Sequence, residues 1–347
     1  MSSLNQKITQ EIQSIAASML ESGQVAAFLG YTTGTIPGVM QPFVARNAQD
    51  AKRLCWNSFC VLNLANYLPS LLKSLEPPRR RGEPPPEGPL PKVGVLATGC
   101  WSRNIAVQIQ ENQVERQRVV IVGISSRGMI SRRKLETAVG YKEIVHIEEQ
   151  DNSLLVKGND FEDTINRWDV VRDNCQTCIH PDPVIYDELI GTLNGNRKIP
   201  DRFRQVEKIE TLSTDERWQW FNNEIASCIR CYACRNACPL CYCPTCFVDD
   251  SRPQWVGKSI EPADTALFHI LRAYHCAGRC TDCGSCESVC PMGIRMRLFT
   301  KKLQKDVLEL YDFEPGLDLD TPLPLSTYKI DDPEDFILTH IKKGDKK

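Results

Sequence analysis

Eight of the 17 cysteines fall into two copies of one pattern. Cys228-x2-Cys231-x2-Cys234-x3-Cys238-Pro239 comes first, and Cys280-x2-Cys283-x2-Cys286-x3-Cys290-Pro291 follows. Three thiolates on so tight a loop wrap one face of an iron–sulfur cubane. The proline after the fourth cysteine stops the loop from closing on its own cluster, so that thiolate reaches across to the other. The spacing predicts two [4Fe–4S] clusters. Cys228, Cys231, Cys234 and Cys290 would hold one, and Cys280, Cys283, Cys286 and Cys238 the other. Zinc on the CxxC pairs is the plainer alternative, but four ligands fill a zinc site and give no reason for the same 2-2-3 spacing twice.

The remaining cysteines are less patterned. Cys175-x2-Cys178 alone reads equally as zinc, a redox dithiol or half of a cluster site. With Cys60 and Cys100, from two other segments, it makes up a four-thiolate set, and a third [4Fe–4S] cluster is expected there. Cys60 is preferred to Cys55 because the apolar run Val61 to Leu68, read as helix, would fix its direction. Cys241, Cys243, Cys246 and Cys276 lie between or beside the two motifs. They read either as a further metal site or as buried thiols, since free cysteine packs as a small hydrophobe.

These residues need positioning elements. Leu4, Ile8, Ile12, Ile15 and Met19 recur at helical spacing and predict a helix over 4–21. Val25 to Leu29 reads as a strand, Thr32 to Gly38 as an ordinary turn, and 47–75 as mostly helical. Two apolar runs, Lys92 to Ala97 and Arg118 to Ile124, read as buried strands. Helices follow them at 102–113 and 132–139, and short strands are expected at 145–147 and 154–156. Asp169 to Val171 reads as a strand-like run leading to the CxxC pair. Strands alternating with helices predict a parallel, doubly wound α/β domain over 1–200, with ligands beyond the C-terminal strand ends, where Cys100 lies. Residues 77–91, with their prolines and Arg79-Arg80-Arg81, form a stiff excursion. A cluster-binding domain over 213–311 opens on a capping box, Ser213 with Glu216. It contains an inserted helix from Pro262 to Tyr274, with Leu267, Ile270, Leu271 and Tyr274 facing inward, and ends on a helix reaching Tyr311. The acidic, proline-bearing stretch 312–347 reads as an arm that orders against a partner or the chain's own surface.

Charge is balanced, 42 basic against 44 acidic residues, so neither nucleic acid nor an anionic membrane is indicated. No signal peptide or membrane span is expected, and the chain reads as cytoplasmic. That many cysteines in such a setting argue for metal over disulfides, and for a low-oxygen cell. Five histidines and no Ser/His/Asp arrangement leave little material for acid–base catalysis.

The string CIRCYACRNACPLCYCPTC, with HCAGRCTDCGSCESVCPMGI after it, resembles the iron–sulfur module of β subunits of deazaflavin (coenzyme F420)-linked formate dehydrogenases and hydrogenases. It also resembles the ferredoxin parts of heterodisulfide-reductase-type complexes. Thr98-Gly99-Cys100 and Cys175-x2-Cys178 resemble, more distantly, the cysteine positions of the β-subunit domain in that deazaflavin-linked family. Two features depart from the family: the bacterial-type ferredoxin module follows the α/β domain here, and no glycine-rich flavin segment is recognisable. The resemblance implies an electron-transfer subunit of a multi-subunit oxidoreductase, passing single electrons between partner redox centres such as a flavoprotein or a formate dehydrogenase or hydrogenase catalytic subunit. It implies as the alternative a flavin-containing β subunit that exchanges hydride with a deazaflavin, for which FAD would be required.

Overall fold

The computed structural model describes residues 3–78 and 88–324. Helix α1 (Ser3–Glu21) buries Ile12, Ala16 and Met19 against the first sheet. That sheet is formed by β1 (Ala27–Thr33), β2 (Met40–Ala45), β3 (Val93–Ala97), β4 (Val119–Ile124) and β8 (Glu188–Ile190), in the order β2-β1-β3-β4-β8. The pairs β1–β3, β3–β4 and β4–β8 are parallel, with Val95 opposite both Leu29 and Ile121. Every residue of β3 and β4 is buried, as expected of central strands covered on both faces. Gly94 is required by this packing, because a Cβ there would stand 2.4 Å from the Phe28 ring.

The sheet is mixed, not wholly parallel. β2 folds back antiparallel on β1 through the turn Gly34–Val39 and carries Pro42 on the sheet edge, where a missing N–H costs no ladder bond. The segment 47–75 is not one helix. It holds α2 (Ala48–Ala51), capped by Asn47, then irregular chain, a 3-10 turn (Leu64–Tyr67) and α3 (Leu68–Ser74). Asn57 Oδ1 accepts from Phe59 N at 2.9 Å and Asn63 Oδ1 from Ala65 N at 3.0 Å. Short polar side chains thereby draw the backbone into turns in place of helix. Val61 to Leu68 is therefore no single helix behind Cys60.

Helix α4 (Gly99–Gln110) follows β3, and α5 (Arg132–Ala138) follows β4. The short strands expected at 145–147 and 154–156 are β5 (His146–Glu149) and β6 (Ser153–Lys157). They belong to a separate antiparallel sheet with β7 (Glu162–Asn166). The run before the CxxC pair is helical: α6 (Arg167–Val170) gives way to α7 (Asp173–Gln176), with one bridge, Ile130 to Val171. Asn166 caps α6 by accepting from Trp168 N, which a strand would not allow.

In the C-terminal half, α8 (Arg204–Glu210) precedes α9 (Thr214–Ile225), whose Ser213–Glu216 capping box is formed. The first cysteine motif carries α10 (Ala233–Asn236). The inserted helix is α11 (Pro262–His275), the second motif carries α12 (Ser285–Ser288), and α13 (Arg297–Tyr311) closes the half. The inward face of α11 differs from the expected one. Thr265, Phe268, His269 and Arg272 are buried, while Leu267 and Tyr274 are exposed. The apolar-in pattern fails because this helix faces thiols and loop carbonyls, which polar side chains satisfy. Residues 312–324 lie on the chain's own surface: the Pro315 carbonyl accepts from Arg103, and Leu323 is buried. The arginine triplet at 79–81 and the arm from 325 onward lie outside the described residues. No helix of the described residues is long and apolar enough to cross a membrane.

Candidate metal centres

The two motifs fold alike. In the first, Arg230 (φ 50°) and Tyr232 (φ 59°) are left-handed. In the second, Asp282 (φ 57°) and Gly284 (φ 68°) occupy the same third and fifth places of the loop. Three of the four are not glycine and bear a steric cost that only a built site repays. The return is a backbone aimed at sulfur: Arg230 N–H points at Cys228 Sγ, 3.4 Å away, and the Asp282 and Ser285 amides hydrogen-bond Cys280 and Cys283. Each loop continues into a one-turn helix, α10 or α12, carrying Cys234 or Cys286.

Surroundings hold these loops in shape. Arg230 reaches back to the Gly257 carbonyl at 2.7 Å and to that of Ser259. Asp282 is clamped by Arg297 at 3.1 Å and Lys301 at 2.8 Å. Burial alone would raise its pKa, but these cations hold the carboxyl below its ordinary range. Gly284 admits no side chain, because a Cβ would come within 2.6 Å of Arg172 and 2.9 Å of Asn174, both from the N-terminal half.

The thiols fall into groups. Cys228 lies among Cys231, Cys234 and Cys290, and Ile294 N–H points at Cys290 Sγ from 3.4 Å. Cys238, from the first motif, has Cys280, Cys283 and Cys286 of the second beside it. Burial pushes the Cys234 thiol up to about 11 and that of Cys280 up to about 12. Thiols kept from water in this way become good ligands only when a cation takes the proton's place. Two arginines stand ready for charge. Burial alone would lower the pKa of Arg272, yet the charges of Cys238, Cys286, Cys276 and Cys234 raise it well above normal. The Nε atoms of Arg272 and Arg230 are buried and lack any acceptor in the chain. Orphaned donors beside thiols fit the sulfides and thiolate sulfurs of an iron–sulfur cluster, which accept hydrogen bonds.

The N-terminal half contributes a third group. Cys100, at the start of α4, has Cys283, Cys178 and Cys175 around it, and these four line one small pocket. Met129 N–H approaches Cys175 Sγ at 3.4 Å. Burial raises the Cys178 thiol to about 11. Cys60 is wholly buried and lines no part of this pocket. It sits beside Tyr31, and Tyr31 in turn lies beside Cys100. Cys55 Sγ turns away to Thr33 Oγ1 at 3.6 Å. Cys241, Cys243, Cys246 and Cys276 line a separate cavity of about 520 Å³. Among the described residues no three His, Cys, Asp or Glu side chains close round a single ion.

The halves meet through buried polar contacts that no local residue pattern announces. Asn104 Oδ1 accepts from Asn63 Nδ2 at 2.7 Å and from Thr281 Oγ1 at 2.8 Å. Gln108 Nε2 donates to the Pro239 carbonyl at 2.8 Å, and Asn63 N to Ser285 Oγ at 3.1 Å. Cys100 and Cys283 are brought together by this contact.

Comparison with known proteins follows the same division. Residues 224–294 match the 4Fe-4S dicluster domain family. The chain is 30% identical over 125 residues to the F420-dependent formate dehydrogenase subunit beta of Methanocaldococcus jannaschii, covering 36% of this chain and 32% of that protein. It is 34% identical over 113 residues to F420-dependent formate dehydrogenase 1 subunit beta of Methanococcus maripaludis, covering 33% of this chain and 28% of that one. The matched stretches thus span about a third of each curated relative. The solved F420-reducing [NiFe] hydrogenase complex of Methanosarcina barkeri aligns at a TM-score of 0.37 and 16% identity, over 51% of this chain and 63% of that chain, too loosely to carry an argument. This is an iron–sulfur chain that resembles F420-dependent formate dehydrogenase β subunits. Its C-terminal half contains a domain for two [4Fe–4S] clusters.

Proposed function

We propose that the chain is the electron-relay subunit of a cytoplasmic oxidoreductase complex of formate dehydrogenase, hydrogenase or heterodisulfide-reductase type. In this reading it carries no substrate chemistry of its own. Its clusters, when bound, take up and release one electron at a time between partner redox centres. Cys228, Cys231, Cys234 and Cys290 hold one cluster, and Cys280, Cys283, Cys286 and Cys238 the other. Cys100, Cys175 and Cys178 hold a third, with Cys60 as the fourth ligand from beside Tyr31. The observation that carries the reading is the nearness of Cys100 to Cys283 across the contact between the halves, with Arg272 beside both Cys286 and Cys234. Ligands of the three sites are then neighbours in a row, which a relay requires and a lone enzyme site does not.

Folds of this kind bind flavin at strand ends, and at the end of β3 there is little room for one. A Cβ on Gly99 would stand 2.1 Å from the His180 carbonyl, Gly123 is covered by Pro183, and Ser126 N donates to the Pro181 carbonyl at 3.0 Å. Residues 180–183 thus cover the end of β3, whereas a cavity of about 240 Å³ lined by Ser125, Gly128, Ile190 and Gly191 stays open past the ends of β4 and β8, and the cofactor content has to be measured. The test is cofactor analysis of the full chain purified without oxygen. Iron and sulfide without stoichiometric flavin, and no reduction of a deazaflavin by the chain alone, are expected. About one FAD per chain, bleached by a reduced deazaflavin, overturns the relay in favour of a hydride-exchanging β subunit.

A further inference from the structure

From the cavity beside α11 we infer a further [4Fe–4S] site, held by Cys241, Cys243, Cys246 and Cys276. None of these thiols belongs to either repeated motif. Three come from one loop in Cys-x-Cys-x2-Cys spacing, and Cys276 caps the C-terminus of α11. All four line the same cavity of about 520 Å³. Cys276 is buried at its floor, whereas Cys243 is exposed at its edge.

Charge fits an anionic cluster. Arg235, Arg272 and Arg279 line the cavity, and Arg235 hydrogen-bonds Cys246. Arg272 brings the orphaned Nε, a buried donor with no acceptor in the chain. Arg279 is paired with Glu111 and Arg235 with Asp249, so Arg272 is the guanidinium left to offset the net negative charge of four thiolates and a cubane.

Size decides between iron–sulfur and zinc. Four sulfurs about 2.3 Å from a zinc ion leave no void between them. Here no three of the thiols converge on one ion, as zinc requires, and the cavity they line is wide enough to admit a four-iron core. The site also adjoins the second motif's thiols, because Cys238 hydrogen-bonds both Cys241 and Cys276, and Cys241 N donates to the Cys238 carbonyl at 3.0 Å. It thus extends the row of thiol groups by one. Its place in a relay rests on the function proposed above, but its metal content does not.

The test is a count of iron, sulfide and zinc in the full chain after anaerobic reconstitution, for the wild type, Cys243→Ser and Cys276→Ser. Cys55→Ser serves as the control. Each site variant is expected to lose about four irons and four sulfides per chain, while the electron paramagnetic resonance signals of the other clusters persist. Cys55→Ser is expected to lose none. Should Cys276→Ser fail to fold, Cys243→Ser, altered at the exposed edge, decides alone. An unchanged iron count in Cys243→Ser overturns the inference, as does the loss of one zinc with all iron retained. Failure of the chain to pass electrons to a partner would leave these counts untouched, so the two readings fall separately.

Discussion

His269 Nε2 lies 3.3 Å from Cys228 Sγ. The ring is buried on the inner face of α11, and burial, with Arg272 and Arg230 nearby, lowers its pKa to about 4. It is therefore neutral at physiological pH, with one N–H to give to the sulfur.

A hydrogen bond to a ligand sulfur stabilises the more negative, reduced cluster. His269→Ala is expected to lower the midpoint potential of the cluster held by Cys228 by some tens of millivolts, on the order of ~50 mV, leaving the other clusters unmoved. Because the folded pKa is depressed, the ring charges only below about pH 4, so the wild-type potential should be flat between about pH 6 and 8. Redox titration followed by electron paramagnetic resonance at several pH values measures both. A slope through neutral pH would contradict the assignment of a neutral His269.

Cys238 belongs to the first motif in sequence but lies among the thiols of the second. Cys238→Ser should damage the cluster of Cys280, Cys283 and Cys286 and spare that of Cys228, Cys231 and Cys234. Spectra of the purified variant discriminate, and loss of the first cluster with the second intact would show the crossed ligation to be wrong.

Cys55 and Cys60 are separated by four residues but face different groups. Cys60→Ser should cost the full chain about four irons, and Cys55→Ser none. The reverse result would move the fourth ligand of the Cys100 site to Cys55.

Glu314 ties the segment after α13 to the N-terminal half. Its carboxylate takes a 2.7 Å hydrogen bond from His180 Nε2 and a closer one from Arg202. Burial opposes ionisation, yet these partners and Arg103 bring the carboxyl down to about 2. A depressed folded pKa means stability that is present above the unfolded value, near 4.5, and lost as pH falls through about 2. Glu314→Gln should destabilise the protein by on the order of 2 kcal/mol at neutral pH. The gap between variant and wild type should close as pH drops from about 4.5 towards 2. Denaturant unfolding across that range measures it, and a gap independent of pH would assign the effect to lost packing.

What the residues revealed depended on whether their signal was local. The repeated spacing from Cys228 to Cys290 is covalent arithmetic, and the match of 224–294 to a dicluster domain agrees with it. The capping box at Ser213 is equally local and is present. Central strands β3 and β4 were legible because they are apolar throughout. β2, β7 and β8 were not: β2 carries Pro42, β7 (Glu162–Asn166) is polar at four of its five positions, and β8 has three residues. The face of α11 was misread because periodicity assumes that the interior is apolar. Where the interior is a set of thiols, Arg272 and His269 are the residues that belong inside.

Asn104 spends both lone pairs of one oxygen on donors from opposite halves of the chain. An acceptor so divided has no water to fall back on when either donor leaves, and the cost of a stranded buried group falls on whichever half remains. Thiol ligation and backbone order are likewise coupled, since the loops of the second motif are shaped by the metal they are built to hold. Iron lost at Cys280, Cys283 and Cys286 would free Thr281 between them, release Asn104, and loosen the start of α4 where Cys100 sits. The Cys280 and Cys100 groups are then coupled in their filling, whereas the Cys228 group, which Asn104 does not touch, loads on its own.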